Sequence, residues 1–251
     1  MPPIVHRRSA VPLGLALVAA VALGSGAPRA DEGAAERERV ERIVRELLLR
    51  EPQIVYDALQ ELQRRREVAE AERQRQTIAA RRDELMYDPE TPVLGDPQGS
   101  ATVVEFFDYR CGFCRRMVPT IRDLLERDGE LRLVLKELPV LGPDSMLAAR
   151  AALASRAQGL YAPFHFALME ADDLSEGGIF RIAAGVGLDV ERLRADMESP
   201  GITAVIEANY RLARDLGVQG TPAFVIGDAF VPGAIDRAEL EALIEAARGA
   251  G

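Results

Sequence analysis

The sequence is poor in the residues that build metal sites. Its 251 residues include two cysteines, two histidines and no tryptophan. Structural zinc takes four ligands, usually cysteine and histidine. His6 lies in an amino-terminal segment that we expect to be removed, which leaves His165 as the remaining histidine. A zinc site within one chain would then need carboxylates, so the composition disfavours zinc. Two soft thiolates suit Cu(I) better, and that alternative stays open.

Positive charge is also in deficit. The chain has 31 lysines and arginines against 40 aspartates and glutamates, a net charge of −9, and Lys136 is its only lysine. A negative surface repels the phosphates of nucleic acids, so we expect no nucleic-acid partner. Hydrophobic residues make up 48% of the chain, which is enough to bury a sizeable core.

The amino terminus has the pattern of a secretory signal peptide. A pair of arginines precedes the apolar run 10-AVPLGLALVAAVALG-24, and small residues follow it. This order of basic, apolar and small residues predicts a signal peptide over residues 1–30, cleaved near Ala27 or Ala30. The run is shorter than the ~20 apolar residues of a membrane span. An exported, periplasmic protein is therefore expected, with an uncleaved membrane anchor as the alternative.

Residues 31–87 form an extension of distinct composition. Nearly half of residues 36–86 are charged, and the segment contains no glycine. Apolar residues recur at helical spacing on both sides of Pro52, which we expect to open a second helix. They are Val40, Ile43, Val44, Leu47, Leu48, Ile54, Val55, Ala58, Leu59 and Leu62. The helix beyond Leu62 is polar nearly all round. The apolar stripe could fold back on the chain, but we favour a homo-oligomer through residues 36–86 with the polar helix as a stalk.

Residues 88–251 have the pattern of a second domain. A segment rich in proline and glycine, 88–100, predicts a connection, and the β-like run 102-TVVEFF-107 follows it. A helix, a second strand candidate at 131–138, and a helical block over about residues 143–216 come next. A strand pair with a tight turn and a closing helix complete the chain. The order predicts an α/β domain with a small mixed sheet and a helical insertion.

Both cysteines lie in one motif, Cys111-Gly112-Phe113-Cys114, where a strand is expected to end and a helix to begin. Unpaired N–H groups and the helix dipole favour negative charge there, so the thiol pKa of Cys111 should fall. Cys114, one turn further, lies on the apolar stripe of the helix and should be shielded. An exposed thiol with a shielded one suits thiol–disulfide exchange. A structural disulfide would close too short a loop to stabilise the fold much, and it remains the minor alternative.

The segments 105-EFFDYRCGFCRRMVP-119 and 220-GTPAFVIG-227, with a helical block between them, carry a family resemblance. From about residue 92 to residue 248 the chain resembles the DsbA family of thioredoxin-fold thiol–disulfide oxidoreductases. With its charged extension, the whole is most similar to the Com1/ScsC branch, in which the extension mediates oligomerisation. The resemblance implies a thioredoxin fold with a helical insertion over residues 88–251. It implies no cofactor beyond a redox-active Cys111–Cys114 disulfide.

The resemblance also assigns roles to single residues. Cys111 matches the family's nucleophile and Cys114 its resolving cysteine. Thr221 and Pro222 match the cis-proline loop that lies against the active-site disulfide and receives the substrate backbone. With Gly112 and Phe113 they are the candidate substrate-binding residues.

An acid and a base complete the candidate site. Glu105 matches a family position held by a buried acid beneath the active site, and Lys136 falls where the family places its basic partner. We expect the two side chains to form a partly buried pair, in which Glu105 relays protons during exchange. His165 is expected on a helix surface, without a catalytic role.

The motif indicates whether the dithiol isomerises disulfides or oxidises thiols. Cys-Gly-Phe-Cys is similar to the Cys-Gly-Tyr-Cys of the family's isomerases, which also carry threonine before the cis-proline. Without a histidine between the cysteines, one donor to the reduced thiolate is missing, so the dithiol should be a weaker oxidant. We predict a disulfide isomerase that rearranges or forms disulfides in secreted proteins and is recycled by a membrane thiol–disulfide partner. A DsbA-like oxidase and a non-enzymatic oligomeric scaffold are the alternatives.

Overall fold

The computed structural model describes residues 29–249, with side chains from residue 33 onward. Residues 1–28, which hold most of the predicted signal peptide, lie outside the described residues. The chain divides into two units, Met1–Leu62 and Gln63–Gly251. Over the described part of the chain, no helix is long and apolar enough to cross a membrane.

Two helices make up the described part of the first unit, and the second of them continues into the next unit. Helix α1 spans Arg29–Arg50 and α2 spans Gln53–Ala80. Pro52 lies between them and its carbonyl accepts a hydrogen bond from the Val55 N–H, as expected of a proline that opens a helix. The apolar side chains predicted from the spacing are largely exposed within this unit, with Ile43 at 52% and Leu59 at 60%.

The second unit is built on a mixed five-stranded sheet. Helix α3 (Arg82–Met86) precedes the strands β1 (Val93–Gly95), β2 (Ala101–Phe107), β3 (Leu131–Glu137), β4 (Ala223–Ile226) and β5 (Ala229–Pro232). Their order is β1-β3-β2-β4-β5; β2 and β3 are parallel and the other pairs antiparallel. This confirms the predicted mixed sheet. Strand β1 lies inside the segment predicted as a connection. It was not predicted, because three residues between prolines and glycines give too short a pattern to detect.

Helices cover both faces of the sheet. The crossover from β2 to β3 is α4 (Gly112–Arg127), and α10 (Arg237–Gly249) closes the chain. Between β3 and β4 the helical insertion runs from Pro143 to Leu216, as predicted. Its helices are α5 (Pro143–Ser155), a 3-10 turn (Arg156–Gln158), α6 (Tyr161–Glu170), α7 (Glu176–Gly185), α8 (Val190–Met197) and α9 (Pro200–Leu216).

Strand β2 is mostly apolar because both of its faces are buried, and Glu105 is the charged residue within it. Val103 and Phe107 join a core with α4, α10 and helices of the insertion. Val104 and Phe106 point the other way, into a second core that contains Ile78 of α2 and Leu212 of α9. The end of the segment predicted as a stalk is therefore part of the second unit. The unit boundary at Gln63 lies well before the predicted domain start at residue 88.

Candidate active site

Cys111 is the N-cap of helix α4. Its backbone is extended, and its Sγ accepts a hydrogen bond from the Cys114 N–H at 3.4 Å. Sulfur at this position faces the unpaired N–H groups of the first helical turn and the positive end of the helix dipole. The local sequence thus produces the expected geometry of a strand end, a short turn and a helix that begins beside the first cysteine.

The cis-proline loop covers this sulfur. The Thr221–Pro222 peptide bond is cis, and the Cys111 thiol donates to the Thr221 carbonyl at 3.0 Å. Strand β4 starts directly after Pro222 and pairs antiparallel with β2, so the loop meets the end of β2 where the cysteine motif begins. Cys111 is only 6% exposed. It is less exposed than the sequence suggested, because the loop packs against it.

Cys114 is shielded, as predicted. The residue is 0% exposed in the core between α4 and the sheet. Burial, followed by the negative charge of Glu105, raises the pKa of the Cys114 thiol. Both cysteines are free thiols. Cys114 can therefore attack only when a base takes its proton.

Glu105 is the buried acid on the same face of the sheet as Cys114. It is 2% exposed, and burial raises its pKa to about 8. A carboxyl group with this pKa holds a proton at neutral pH and can release it within the range where thiols titrate. This outcome agrees with the buried acid predicted at the position.

The structure does not bring Lys136 to Glu105. In the parallel register of β2 and β3, Glu105 lies opposite Leu135 and Lys136 lies opposite Phe106. Because side chains alternate between faces along a strand, Lys136 points into the opposite core. The predicted pair is wrong.

Lys136 instead fastens α3 and the segment that follows it. Its Nζ donates to the Glu84 carbonyl and to Thr91 Oγ1, both at 2.7 Å, and lies 3.8 Å from the Asp88 carboxylate. Burial lowers the pKa of Lys136 to about 8. Its role is to hold residues 84–91 on the sheet.

His165 is buried, which corrects the expectation of a surface histidine. It is 3% exposed, and burial lowers its pKa to about 3. Its Nδ1 lies 3.0 Å from the Tyr109 hydroxyl. Tyr109 and Tyr161 each donate to the same oxygen of buried Glu137 at 2.9 Å. These side chains join the turn before Cys111 to β3 and α6.

Asp108 anchors the turn before the cysteines, and our sequence analysis did not identify it. Its carboxylate accepts from the Arg110 N–H, the Val140 and Leu141 N–H groups and the Ser145 hydroxyl, at 2.7 to 2.9 Å. The buried acid fixes the turn against the loop after β3. An aspartate directly after an apolar strand and three residues before Cys111 was the available signal.

The surface beside the motif is apolar and partly cationic. Phe113 is 57% exposed, and the Arg116 guanidinium lies 4.1 Å from the centre of its ring. Gly112 opens α4, with Arg116 close to it. Phe113, Thr221 and Pro222 line one groove of about 1120 Å³. Three of the four predicted substrate-binding residues are thus brought together on one surface.

The arrangement suits thiol–disulfide chemistry. It combines a cysteine at a helix N-terminus, a shielded second cysteine, a buried acid with a raised pKa and a cis-proline loop. Over the described residues, no cluster of three or more histidines, cysteines, aspartates and glutamates is placed to hold a metal ion.

Comparison with known proteins decides the family. Residues 102–245 match the DSBA-like thioredoxin domain. The chain belongs to the DsbA-like thioredoxin family. The matched region of this DsbA-like protein extends from β2 into α10, so both cysteines and the cis-proline loop lie within it. Residues 36–69 of its extension match the Copper resistance protein ScsC N-terminal domain.

Solved structures support the same assignment. A thioredoxin-like oxidoreductase from Silicibacter pomeroyi is 50% identical with a TM-score of 0.66, over 68% of this chain and 99% of that one. A linker-deletion mutant of Proteus mirabilis ScsC is 26% identical with a TM-score of 0.68, over 91% and 100%. A periplasmic thioredoxin-like protein from Salmonella enterica serovar Typhimurium is 29% identical with a TM-score of 0.60, over 67% and 95%. The second unit therefore contains an oxidoreductase domain.

The chain also matches part of larger proteins. The Na(+)/H(+) antiporter NhaA of Herminiimonas arsenicoxydans is 32% identical over 164 residues, which are 64% of this chain and 26% of that protein. The chain spans about a quarter of the length of this curated relative.

Proposed function

We propose that this chain is an exported thiol–disulfide oxidoreductase that works as an oligomeric disulfide isomerase on secreted proteins. The observation that carries the proposal is the placement of Cys111 Sγ between the N-terminus of α4 and the Thr221 carbonyl. One side of the sulfur accepts the Cys114 N–H at the start of the helix. The other side faces backbone that a bound polypeptide can pair with.

The first step is attack on a substrate disulfide. The Cys111 thiol gives up its proton to solvent and loses its hydrogen bond to Thr221, while the Cys114 N–H stays directed at the sulfur. The thiolate attacks one sulfur of the substrate disulfide. That S–S bond breaks, a Cys111–substrate S–S bond forms, and the other substrate sulfur leaves as a thiolate.

The mixed disulfide then has two exits. A different substrate thiolate can attack the substrate sulfur, which forms a new substrate disulfide and returns Cys111 as a thiolate with no net redox change. Alternatively, Cys114 attacks Cys111 Sγ, which releases a reduced substrate and leaves a Cys111–Cys114 disulfide. A membrane thiol–disulfide partner would then supply two electrons to restore the dithiol.

Glu105 would serve the second exit. Cys114 is buried with a raised pKa, so its proton needs a nearby acceptor. In its ionised form Glu105, whose pKa is raised to about 8, can accept that proton within the core. In the reverse reaction the same carboxyl group returns it.

The extension would make the oligomer. Val40, Ile43, Val44, Ile54 and Leu59 are all more than 40% exposed within their unit. Exposed apolar side chains at helical spacing gain by packing on copies of the same helices. Export is supported by the basic, apolar and small-residue order of the amino terminus and by the periplasmic relative.

The test is reactivation of scrambled ribonuclease by the pre-reduced protein without residues 1–30. A shortened chain that begins at Gln63 is assayed beside it, since it keeps Ile78 and the rest of the second core. The Cys111→Ser variant is the control. We expect reactivation by the long chain, strong loss in the shortened chain and none in the variant.

Other outcomes would change the proposal. Equal reactivation by both chains would keep the isomerase and remove the need for the extension. Failure of both, with oxidation of reduced ribonuclease, would make the protein an oxidase. Failure in both assays would favour the non-enzymatic scaffold.

A further inference from the structure

The last turns of helix α2 are fixed to the end of helix α9, beside the cis-proline loop. Ile78 is fully buried with Leu212 and Leu216 of α9. One turn earlier, Gln74 Nε2 donates to the Leu216 carbonyl at 3.2 Å and Arg73 Nη1 to the Asp215 carbonyl at 2.9 Å. These side chains satisfy carbonyls at the end of α9 that the helix leaves unpaired.

The approach is close at the residue that ends α9. Gly217 has φ of +76°, a left-handed conformation that favours glycine at a helix end. A Cβ at this position would lie 3.0 Å from Arg73 Nη2 and 3.2 Å from Glu70 Oε1. Helix α2 is therefore held against the segment 217–222, which carries Thr221 and Pro222.

This contact makes α2 one wall of the groove beside the cysteines. Gln63, Glu67 and Glu70 recur at positions i, i+4 and i+7, so they share one face of the helix, and all three line the groove of about 1120 Å³. Phe230 and Pro232 of the edge strand β5 form the opposite side. Phe113, next to the nucleophile, also lines it.

The two walls differ in chemistry. The strand side is apolar, whereas the helix side carries two carboxylates and the Arg73 guanidinium. Glu70 is paired with Arg73, and Gln63, a neutral side chain, donates to Glu67 at 2.8 Å. The groove begins beside the nucleophile at Phe113 and exceeds the usual ~300–1,000 Å³ of a small-molecule pocket. Its size and position fit an extended polypeptide segment whose cysteine reaches Cys111.

We propose that helix α2 takes part in substrate recognition, and that Glu67 selects for a basic residue near the reacting cysteine of an extended substrate segment in this groove. Apolar side chains of the segment pack on Phe113, Pro222 and Phe230, while its basic side chain meets Glu67. This inference rests on the proposed function, because it names the substrate class of the same site. It gives the polar helix a binding role.

The experiment measures attack on activated peptides by the full chain in a Cys114→Ser background. Two peptides share one cysteine, as a 2-pyridyl disulfide, between apolar residues; one adds two lysines and the other two glutamates. Cys111 attacks the peptide sulfur, the S–S bond to the pyridyl sulfur breaks, and 2-thiopyridone leaves. One disulfide replaces another, and the absorbance of the released thiopyridone gives the rate.

We expect the basic peptide to react about fivefold faster than the acidic one at low salt, as one exposed charge pair permits. Glu67→Gln should bring this ratio close to one, and Glu67→Lys should reverse it. Glu72→Lys is the matched control, because Glu72 is exposed on the same helix and does not line the groove. It makes the same change in net charge and should keep the wild-type ratio within about twofold.

The two failures are distinguishable. A wild-type ratio near one, with rapid reaction of the small reagent 2,2′-dithiodipyridine, overturns the groove and leaves the proposed function standing. Equal effects of Glu67→Lys and Glu72→Lys also overturn it, since net charge alone would then explain the preference. If a second copy of the chain covers the groove, both rates rise on dilution with the ratio near one, which overturns it as well. No reaction with any disulfide defeats the proposed function itself.

Discussion

The charge of Glu105 gives the sharpest test of the site. We predict that protonation of this carboxyl group contributes to the unfolding free energy, and that this contribution is lost as pH rises. Burial raises its folded-state pKa from an ordinary value of 4.5 to about 8. Between these values the folded protein holds the proton and the unfolded chain does not. Stability from this group is therefore fully present at low pH and is lost as pH rises toward about 8.

The magnitude follows from the two pKa values. Between pH 5 and pH 8.5 the linkage amounts to about 4 kcal/mol, a large share of the ~5–15 kcal/mol that stabilises a typical domain. Glu105→Gln keeps the size of the side chain and removes the titration. The difference in unfolding free energy between wild type and variant should therefore shift by about 4 kcal/mol toward the variant over this range.

The assay is urea unfolding of both reduced proteins at several pH values. Other titrating groups are common to both proteins and cancel in the difference. Glu126→Gln, an exposed acid on α4, controls for the loss of a carboxylate. A flat difference for Glu105→Gln would refute the buried, protonated acid. A difference that moves toward wild type as pH rises would instead require a cation beside Glu105.

Three further predictions concern other parts of the molecule. Asp108→Asn should lower the unfolding free energy by about 3 kcal/mol, because a charged acceptor of four buried or half-buried bonds is lost. Urea midpoints check this, and a change no larger than that of Asp172→Asn, at an exposed position, would contradict it. Burial lowers the pKa of Lys136 from 10.5 to about 8, so the unfolded chain binds the proton more tightly than the folded protein does. The unfolding free energy should therefore rise by about 3 kcal/mol from pH 8 to pH 10.5. Lys136→Met should abolish that rise in pH-dependent unfolding, and a persisting rise would assign it to another group. Ile43→Glu should reduce the mass seen by sedimentation equilibrium while Glu46→Gln does not, and an unchanged mass would remove α1 from the oligomer.

The parts of the site that could be predicted are those that short sequence segments encode. The strand, the turn and the helix that places Cys111 at its N-terminus all lie within one run of residues. Thr221 is 110 residues away from Cys111 in the chain, and no local pattern joins them. Family resemblance predicted that contact, and the antiparallel pairing of β2 with β4 explains it.

The wrong predictions concern which face of a strand or helix a side chain lies on. Glu105 and Lys136 both lie in buried strands, and only the register of β2 with β3 decides that they point to opposite faces. Helix α6 is apolar around much of its surface, so periodicity did not indicate that His165 is buried. Ile78 is one apolar residue in a charged helix, and the core that receives it is formed by residues far along the chain.

Asp108 has a consequence for how the helical insertion can vary. Its carboxylate joins the turn before Cys111 to the loop after β3 and to Ser145 at the start of α5. At the far end of the insertion, Asn209 of α9 donates to the Glu137 carbonyl at 3.0 Å. The insertion is thus tied to the sheet at its entry and its exit. Its middle helix α6 is also tied to the turn before the nucleophile through Tyr161 and His165. Helices α7 and α8 lack such bonds to the turn among the described contacts, so their surfaces can change while the nucleophile keeps its position.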